Sequence, residues 1–437
     1  MRQLILVLLL ITGKGVYAQG GWQWDALPSM PEPVSNNSVV EAFAGDTLCV
    51  YSFTGISEGL EPADIHLKSW RYNSVLEEWT QLPDVDDFRG KIAAGASTVG
   101  NIIYLIGGYH VFENFNEQTS AKVHRFDADA NVWLDDGADI PVPIDDHVQA
   151  VWRDSLIFVI TGWSQNTNVD DVQIYDPAND TWAAATSVPN LTSYKVFGAS
   201  GTIIGDTIYY YGGTRISGFN FVASNNFRKG VINPEDPTDI TWSLEPDDEL
   251  SNGYRMACTS YGEEVIWIGG AETAYNFDGL AYSGGAVVQP HQEIRTYNTV
   301  SKTWSFFENS PFAIMDLRGI AGVADDEWII AGGMTTNAQV TDAVYRVRRA
   351  TVSTQNEGIQ GLKVYSSSGQ LSIEGLPEGS YQMNLFDISG RLIMNSILSG
   401  GNHIISLASL PDGIYLLALQ HSEGSRLGFA NFIISTF

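Results

Sequence analysis

Cysteine is nearly absent from this chain of 437 residues, where only Cys49 and Cys258 occur. A fold built on disulfide staples is therefore excluded, and both thiols, set in the apolar runs LCVYSF and RMACTS, are expected to be buried. Positive charge is scarce as well. The 23 Lys and Arg face 51 Asp and Glu, a formal net charge of -28. That balance argues against nucleic acid and against anionic membrane surfaces as partners. Long hydrophobic runs are missing after the first residues, so no transmembrane anchor is expected. The opening run, residues 4–11, follows Arg2 and precedes Val16-Tyr17-Ala18. A charged start, a short apolar core and a small-residue end read as a signal peptide over residues 1–18, cleaved after Ala18. Enzyme signatures are lacking too: there is no Gly-x-Ser-x-Gly, no His-Glu-x-x-His and no phosphate-cradling glycine loop. The seven histidines show no close metal spacing, and residues 127–137 (DADANVWLDDG) lack the central glycine of a calcium loop. No metal and no cofactor are expected.

Aromatics and glycine are what the chain has in quantity: 12 Trp, 19 Tyr, 19 Phe and 43 Gly. That composition favours strands joined by tight turns. An apolar strand ending in a double glycine recurs at 101–109 (NIIYLIGGY), 207–213 (TIYYYGG), 264–271 (EVIWIGGA) and 327–334 (EWIIAGGM). Two weaker copies, 48–55 and 156–163, replace the first glycine by Thr. The second glycines stand at 55, 108, 162, 213, 270 and 333. Each loop leads to a strand ending in an aromatic plus Asp or Asn, then to a Trp at 79, 133, 182, 242 or 304. Trp24, in GWQWDALPSMP, occupies the same Trp-x-x-Leu-Pro setting as Trp79. Glycine lets the strand end where a Cβ would meet the next repeat, and the Trp packs the outer strand.

These markers resemble kelch repeats. The resemblance implies an all-β fold over residues 19–350, a six-bladed kelch-type β-propeller whose last blade is closed by an N-terminal strand from residues 22–27. Closure of that kind removes free sheet edges. Residues 351–360 read as a linker, and 361–437 as a small β-sandwich of short alternating strands. Within it, FDISGRLI and LASLPDGIYLLAL resemble the type A sorting domain of the Bacteroidetes type IX secretion system. The matching residues are Asp387, Gly390, Arg391, Gly413, Ile414 and Tyr415. Ser366-Ser367-Ser368 stands where that family has Pro-Asn-Pro, and the final basic residues are missing. The resemblance implies the secretion machinery as a partner, and a secreted or surface location after both membranes are crossed.

Binding residues are expected where loops converge on the opening of the propeller. A basic or imidazole residue precedes each innermost strand but one: Arg89, His147, Lys195, Arg255 and Arg318, with Asn36 and Asn37 in the remaining link. Two readings follow. The five form an anion-binding ring, with Arg215 added from its loop, or Arg89, His147 and Arg318 pair with the preceding Asp87, Asp146 and Asp316 as a structural belt. The long loops carry Trp163, Tyr275 and Tyr282 beside amides and carboxylates, a composition that suits carbohydrate or a surface protein. A binding module for carbohydrate, an acidic one above all, or for a surface protein is the reading these residues favour. A sugar-modifying enzyme of the sialic acid mutarotase kind is the alternative, with Glu113 or Glu117 as acid or base. Copper chemistry like that of galactose oxidase is disfavoured, because neither cysteine falls on the loop face.

Overall fold

The computed structural model describes residues 16–19, 22–218, 220–247, 250–307, 310–349, 362–367, 370–387, 391–407, 410, 414–421 and 430–435. The chain divides after Arg349 into two compact units. In the first, six antiparallel sheets of four or five strands follow one another among the described residues. The first runs Ser38–Ala44, Thr47–Ile56, Ile65–Asn73, Glu78–Leu82. The second begins Ile92–Val99 and Ile102–Val111, and the third Val148–Trp152 and Leu156–Ser164. The fourth begins Phe197–Ile204 and Thr207–Ser217, and the fifth Ala257–Tyr261 and Glu264–Ile268. The sixth sheet takes Ala321–Ala324, Glu327–Ala331 and Val344–Arg349 from the end of the unit and Trp22–Leu27 from its start. Trp24 lies opposite Val347 in that pairing, so an N-terminal strand does close the last sheet. Val16–Gln19 adds a further strand outside it.

The double glycines tie each sheet to the next. In the fourth sheet Gly213 N–H donates to Gly253 O at 2.6 Å, across to the link that precedes the fifth. A Cβ on Gly212 would stand 2.1 Å from that same carbonyl, and its φ of +75° is left-handed. The same bond recurs from Gly108 to Ile144, Gly270 to Ile314 and Gly333 to Val34. The marker tryptophans tie in the other direction. The indole N–H of Trp79, Trp133, Trp182 and Trp242 donates to the carbonyl of Pro28, Pro83, Ala138 and Thr186, in the connection left by the preceding sheet's outer strand. Spacing near fifty residues is thus the distance between two such reciprocal links.

The second unit is one five-stranded sheet in the order Lys363–Ser367, Gln370–Asp387, Ile414–His421, Ala430–Ser435, with Leu392–Ser406 also pairing the long Gln370–Asp387 strand. Register shifts between Ile373 and Ser380 bend that strand, and its two halves share one core with Leu398, Leu417 and Leu419. The strands of the expected small β-sandwich thus belong, among the described residues, to one bent sheet around one core. Asp387 lies opposite Tyr415, which is buried, so two residues of the sorting motif meet across one ladder. Arg391 immediately precedes Leu392–Ser406; Gly390 and Gly413 lie outside the described residues. No helix among the described residues is long and apolar enough to cross a membrane.

Candidate functional site

Among the described residues, each link between sheets, or the start of the strand it leads into, carries one left-handed residue: Asn36, Ala93, Asp146, Gly198, Arg255 and Asp316, with φ between 48° and 67°. Their backbone groups bond in a circuit. Asn36 N–H donates to Asp316 O, Asp146 to Ala93, Gly198 to Asp146, Arg255 to Gly198, and Leu317 to Arg255. Ala93 N–H closes the circle on Asn36 Oδ1 at 2.8 Å. The side chains reinforce it. Arg255, with no exposure, grips Asp146 through Nε (3.1 Å) and Nη2 (2.6 Å), and reaches Asp316 with Nη1 at 2.9 Å. Ser35 and Asn36 donate to the Asp316 carboxylate at 2.7 and 3.1 Å. Burial alone would lift the Asp146 carboxyl, yet the Arg255 and Arg318 guanidinium groups outweigh it and hold the acid below its usual range. At Asp316 burial wins over Arg255, and the pKa is raised.

Of the two readings of these links, the anion-binding ring and the structural belt, Arg255 follows the second, though with other pairings than the sequence suggested. Arg255 belongs to the circuit and is enclosed by Tyr254 and Tyr275, whose rings lie 5.1 and 5.4 Å from its guanidinium carbon. Arg89 lies four residues before the equivalent position, Lys195 three before, His147 one after and Arg318 two after, because the links differ in length. The expected neighbour pairs are also replaced. Asp316 serves Arg255 rather than Arg318, and Asp87 pairs with Lys91 at 2.8 Å. Arg89 instead lies over Phe112 (4.8 Å) and bonds Glu113 at 2.6 Å, on the exposed loop of the second sheet. Lys195 is half-buried and makes no ion pair among the described residues. Arg215 pairs with Val222 in a loop hairpin, half-buried, and does not converge on Arg255.

The aromatic loops pack inward. Residues 269–293 of the fifth sheet cover the belt: Phe277 sits among Ile56, Ile92 and Val111 of the first two sheets, and Tyr275 packs with Phe197, Met315 and Met334. Trp163 meets Phe197 and Phe221 at 5.3 and 5.4 Å, and Phe221 meets Tyr282 at 4.7 Å. Tyr275 is fully buried, while Trp163 and Tyr282 keep partial exposure at the edge of this cluster. A loop platform for a ligand is reduced to that edge.

Space lies on the other side of the belt. The innermost strands of all six sheets surround a central cavity of about 720 Å³. Its wall carries Ser97, Thr98, Ser200, Thr202, Thr259 and Ser260, with Glu41 and Gln149. Its closed end holds His147 and Arg318 beneath the belt, 3% and 5% exposed, while Asp154 and Asp325 at the other end are exposed. The cavity therefore opens among the short hairpin turns, opposite the long loops. Arg318 places Nη1 3.0 Å from Asp146 Oδ1 and Nη2 3.4 Å from His147 O, and its buried Nε has no protein partner. Burial drives the His147 pKa down to about 4, so the ring is neutral at pH 7; Nε2 lies 3.0 Å from Gln149 Oε1 and Nδ1 has no partner. Glu41 Oε2 accepts from Gly322 N–H at 2.9 Å, and burial pushes its carboxyl upward. Cys258 also lines this cavity, half-buried; Cys49 alone is fully enclosed, which corrects the expectation for Cys258.

Glu41, Gln149 and the wall hydroxyls escaped the sequence reading. A signal existed: the innermost strands are the segments where small and polar residues interrupt apolar ones, as in SVVEAFA, IAAGASTV and VQAVW. A second cluster escaped as well. Lys91 Nζ, without exposure, lies 2.8 Å from Asp87 and 2.7 Å from His124 Nε2, whose Nδ1 faces Asp136 at 2.8 Å. Its enclosure makes it a structural clamp between the first two sheets.

Sheets of four or five strands set around one cavity, reciprocal glycine and tryptophan links and a belted axis define a β-propeller of the kelch type. The comparisons agree. A kelch-motif family model matches residues 153–189, and a model for a secretion system C-terminal sorting domain matches residues 360–433. Kelch-like protein 36 of Bos taurus is 23% identical over 176 residues, 40% of this chain and 26% of that one. Kelch-like protein terF of Aspergillus terreus is 28% identical over 216 residues, 47% of this chain and 44% of that one. The chain thus spans less than half the length of these relatives. Human Kelch domain-containing protein 3 is 24% identical over 279 residues, 59% of this chain and 67% of that one. A solved structure titled "Structure of YjhT" superposes with a TM-score of 0.58 at 15% identity, covering 80% of this chain and 99% of that chain, a likeness of fold. The protein is an exported kelch-repeat protein, carried by its sorting domain through the type IX route to the cell surface or beyond.

Proposed function

We propose that this protein is an exported binding module for carbohydrate, presented at or beyond the cell surface. The observation that supports the reading is the central cavity, whose volume of about 720 Å³ is of ligand size and whose wall is rich in hydroxyl and amide groups. Sugars offer many hydroxyl groups that donate and accept, and a wall of Ser, Thr and Gln side chains returns both functions. A glycan array probed with the full purified chain tests it. Binding of a defined set of glycans is expected, and Thr259→Trp, which fills the cavity from the fifth sheet, removes it. An intact protein that binds no glycan overturns the reading and leaves a surface protein as the partner.

A second reading, a sugar-modifying enzyme of the sialic acid mutarotase kind, draws support from one observation: Glu41 and Arg318 line the same cavity. A carboxyl with a raised pKa beside an anion anchor suits proton transfer on an acidic sugar. Glu113, exposed and ion-paired with Arg89, is poorly suited to that role. Exchange of sialic acid anomers followed by NMR decides; no acceleration over buffer removes the enzyme.

A further inference from the structure

We infer that the central cavity takes an amino sugar, a sugar with a free ammonium group, with the Glu41 carboxylate as the partner of that charge and the wall hydroxyls around the ring. The inference rests on the carbohydrate reading above and names the ligand class.

The charge that this cavity offers a guest is of one sign. At the closed end, Arg318 gives one Nη to Asp146 and the other to the His147 carbonyl, and its Nε is buried, so the belt takes up this cation. His147, with its pKa about 4, is neutral at pH 7. Glu41 is the charge left on the wall. It is half-buried, and its Oε2 accepts from Gly322 N–H at 2.9 Å. No described residue bonds Oε1 or pairs a cation with this carboxylate. A carboxylate withdrawn from water without a cation is disfavoured, and burial accordingly pushes its pKa upward. A cationic guest relieves that penalty.

The open end has the same sign. The turns that join innermost to second strands carry Asp46, Asp154, Asp206, Glu263 and Asp325, one in each sheet except the second. Arg153, the basic residue of these turns, is bonded to Asp206 at 2.9 Å. Turn geometry by itself favours Asp at such positions. Placed at the mouth of a cavity whose wall holds Glu41, these carboxylates also draw cations inward and turn anions away. The cation is not a metal ion, because the described residues bring together no group of three His, Cys, Asp or Glu that could hold one. The wall hydroxyls of Thr202, Thr259 and Ser260 bond no described residue and are free to donate and accept. A sugar acid meets repulsion at the mouth and at Glu41. A neutral sugar satisfies the hydroxyls and leaves the carboxylate uncompensated. An amino sugar answers both on one ring.

Titration calorimetry of the full chain at neutral pH, where a sugar amine is largely protonated, tests this. Glucosamine and galactosamine are compared with their N-acetyl forms, which keep the ring and lose the charge. Glucuronate and sialate reverse the charge, and methylammonium keeps it without the hydroxyls. At least one amino sugar is expected to bind about tenfold tighter than every comparator, the ratio that one hydrogen bond to a charged group supplies. Glu41→Gln, which keeps the volume and an acceptor for Gly322 N–H, abolishes that preference, with the melting temperature showing the fold intact. Asp154→Asn combined with Asp325→Asn, at exposed positions, reduces both the preference and its dependence on salt. Thr259→Trp, which fills the cavity, removes amino-sugar binding altogether. Equal or tighter binding of an N-acetyl form, a sugar acid or methylammonium overturns the inference. So does a preference unchanged in Glu41→Gln or, should that variant not fold, in the mouth variant, and so does amino-sugar binding that survives Thr259→Trp. Any of these results with glycans still bound on the array leaves the carbohydrate reading standing. No sugar binding by either method removes both.

Discussion

At the residue scale, the scarce positive charge of this chain is spent mainly on architecture. Arg255 has no exposure and lies between two aspartates drawn from different links. Removing one partner of such a buried set leaves charge without compensation, at a cost of roughly 3–5 kcal/mol. Arg255→Met is therefore expected to lower the melting temperature severely, measured by calorimetry, while Arg215→Met, half-buried and outside the belt, leaves it nearly unchanged. His147 supplies a pH signature. Its folded pKa, about 4, lies below the ordinary histidine value of about 6.5, so the unfolded chain takes up a proton first as pH falls. Stability from this group is full above about pH 6.5 and is lost as pH falls towards 4, by roughly 3 kcal/mol at most. Denaturant melts between pH 7 and 4 should show a shallower loss in His147→Gln than in the parent; parallel curves would remove the assignment. Asp146, held low, adds a loss that begins as pH falls through the ordinary carboxylate range, where the unfolded chain takes up its proton, and that is complete once pH is below the folded value.

At the element scale, the repeat is a pair of reciprocal links. The first glycine of the pair makes room for the neighbouring link's carbonyl, and the second donates to it. Gly212→Ala is expected to cost more than about 2 kcal/mol, since it adds a backbone overlap to a left-handed φ. Gly205→Ala is the control: its φ is +58°, but a Cβ there meets nothing within 4 Å. Comparable melting temperatures for the two variants would refute the steric account. The tryptophan link is weaker. Trp182→Phe keeps most of the packing but strands the Ala138 carbonyl, for about 1 kcal/mol. In the two copies where Thr54 and Thr161 replace the first glycine, the left-handed φ is retained. Thr161 offsets that strain by donating to Val169 O at 2.8 Å.

At the scale of the whole molecule, two separate cores divide the labour. The sorting unit has its own cluster around Leu371, Met383, Leu385 and Leu417, formed from residues after the Arg349 boundary. Deleting residues 360–433 is expected to leave the propeller's melting temperature unchanged while the protein stays inside the cell envelope, as read by fractionation. A truncated protein that still reached the medium would contradict the sorting role.

The fold was legible in the sequence because its markers are local and repeated. Gly-Gly, Tyr-Asp and Trp each satisfy a contact one sheet away, so every repeat restates the same requirement. The strand that closes the sixth sheet was legible for the same reason, through Trp24 and the Leu-Pro that follows. The candidate site was not. Link lengths vary, and a shift of one to four residues separated the residues that look equivalent in sequence, such as Arg89 and Lys195, from those that share the belt, Ala93 and Gly198. Pairings such as Arg255 with Asp146, 109 residues apart, depend on which links converge in space, and no local spacing encodes that. The sequence by itself determined the repeated strands, their ties and the route of export. The tertiary structure alone decided which face is sealed and which is open, because only closure of the sheets sets the buried charges against one another and leaves the cavity on the other side of the belt.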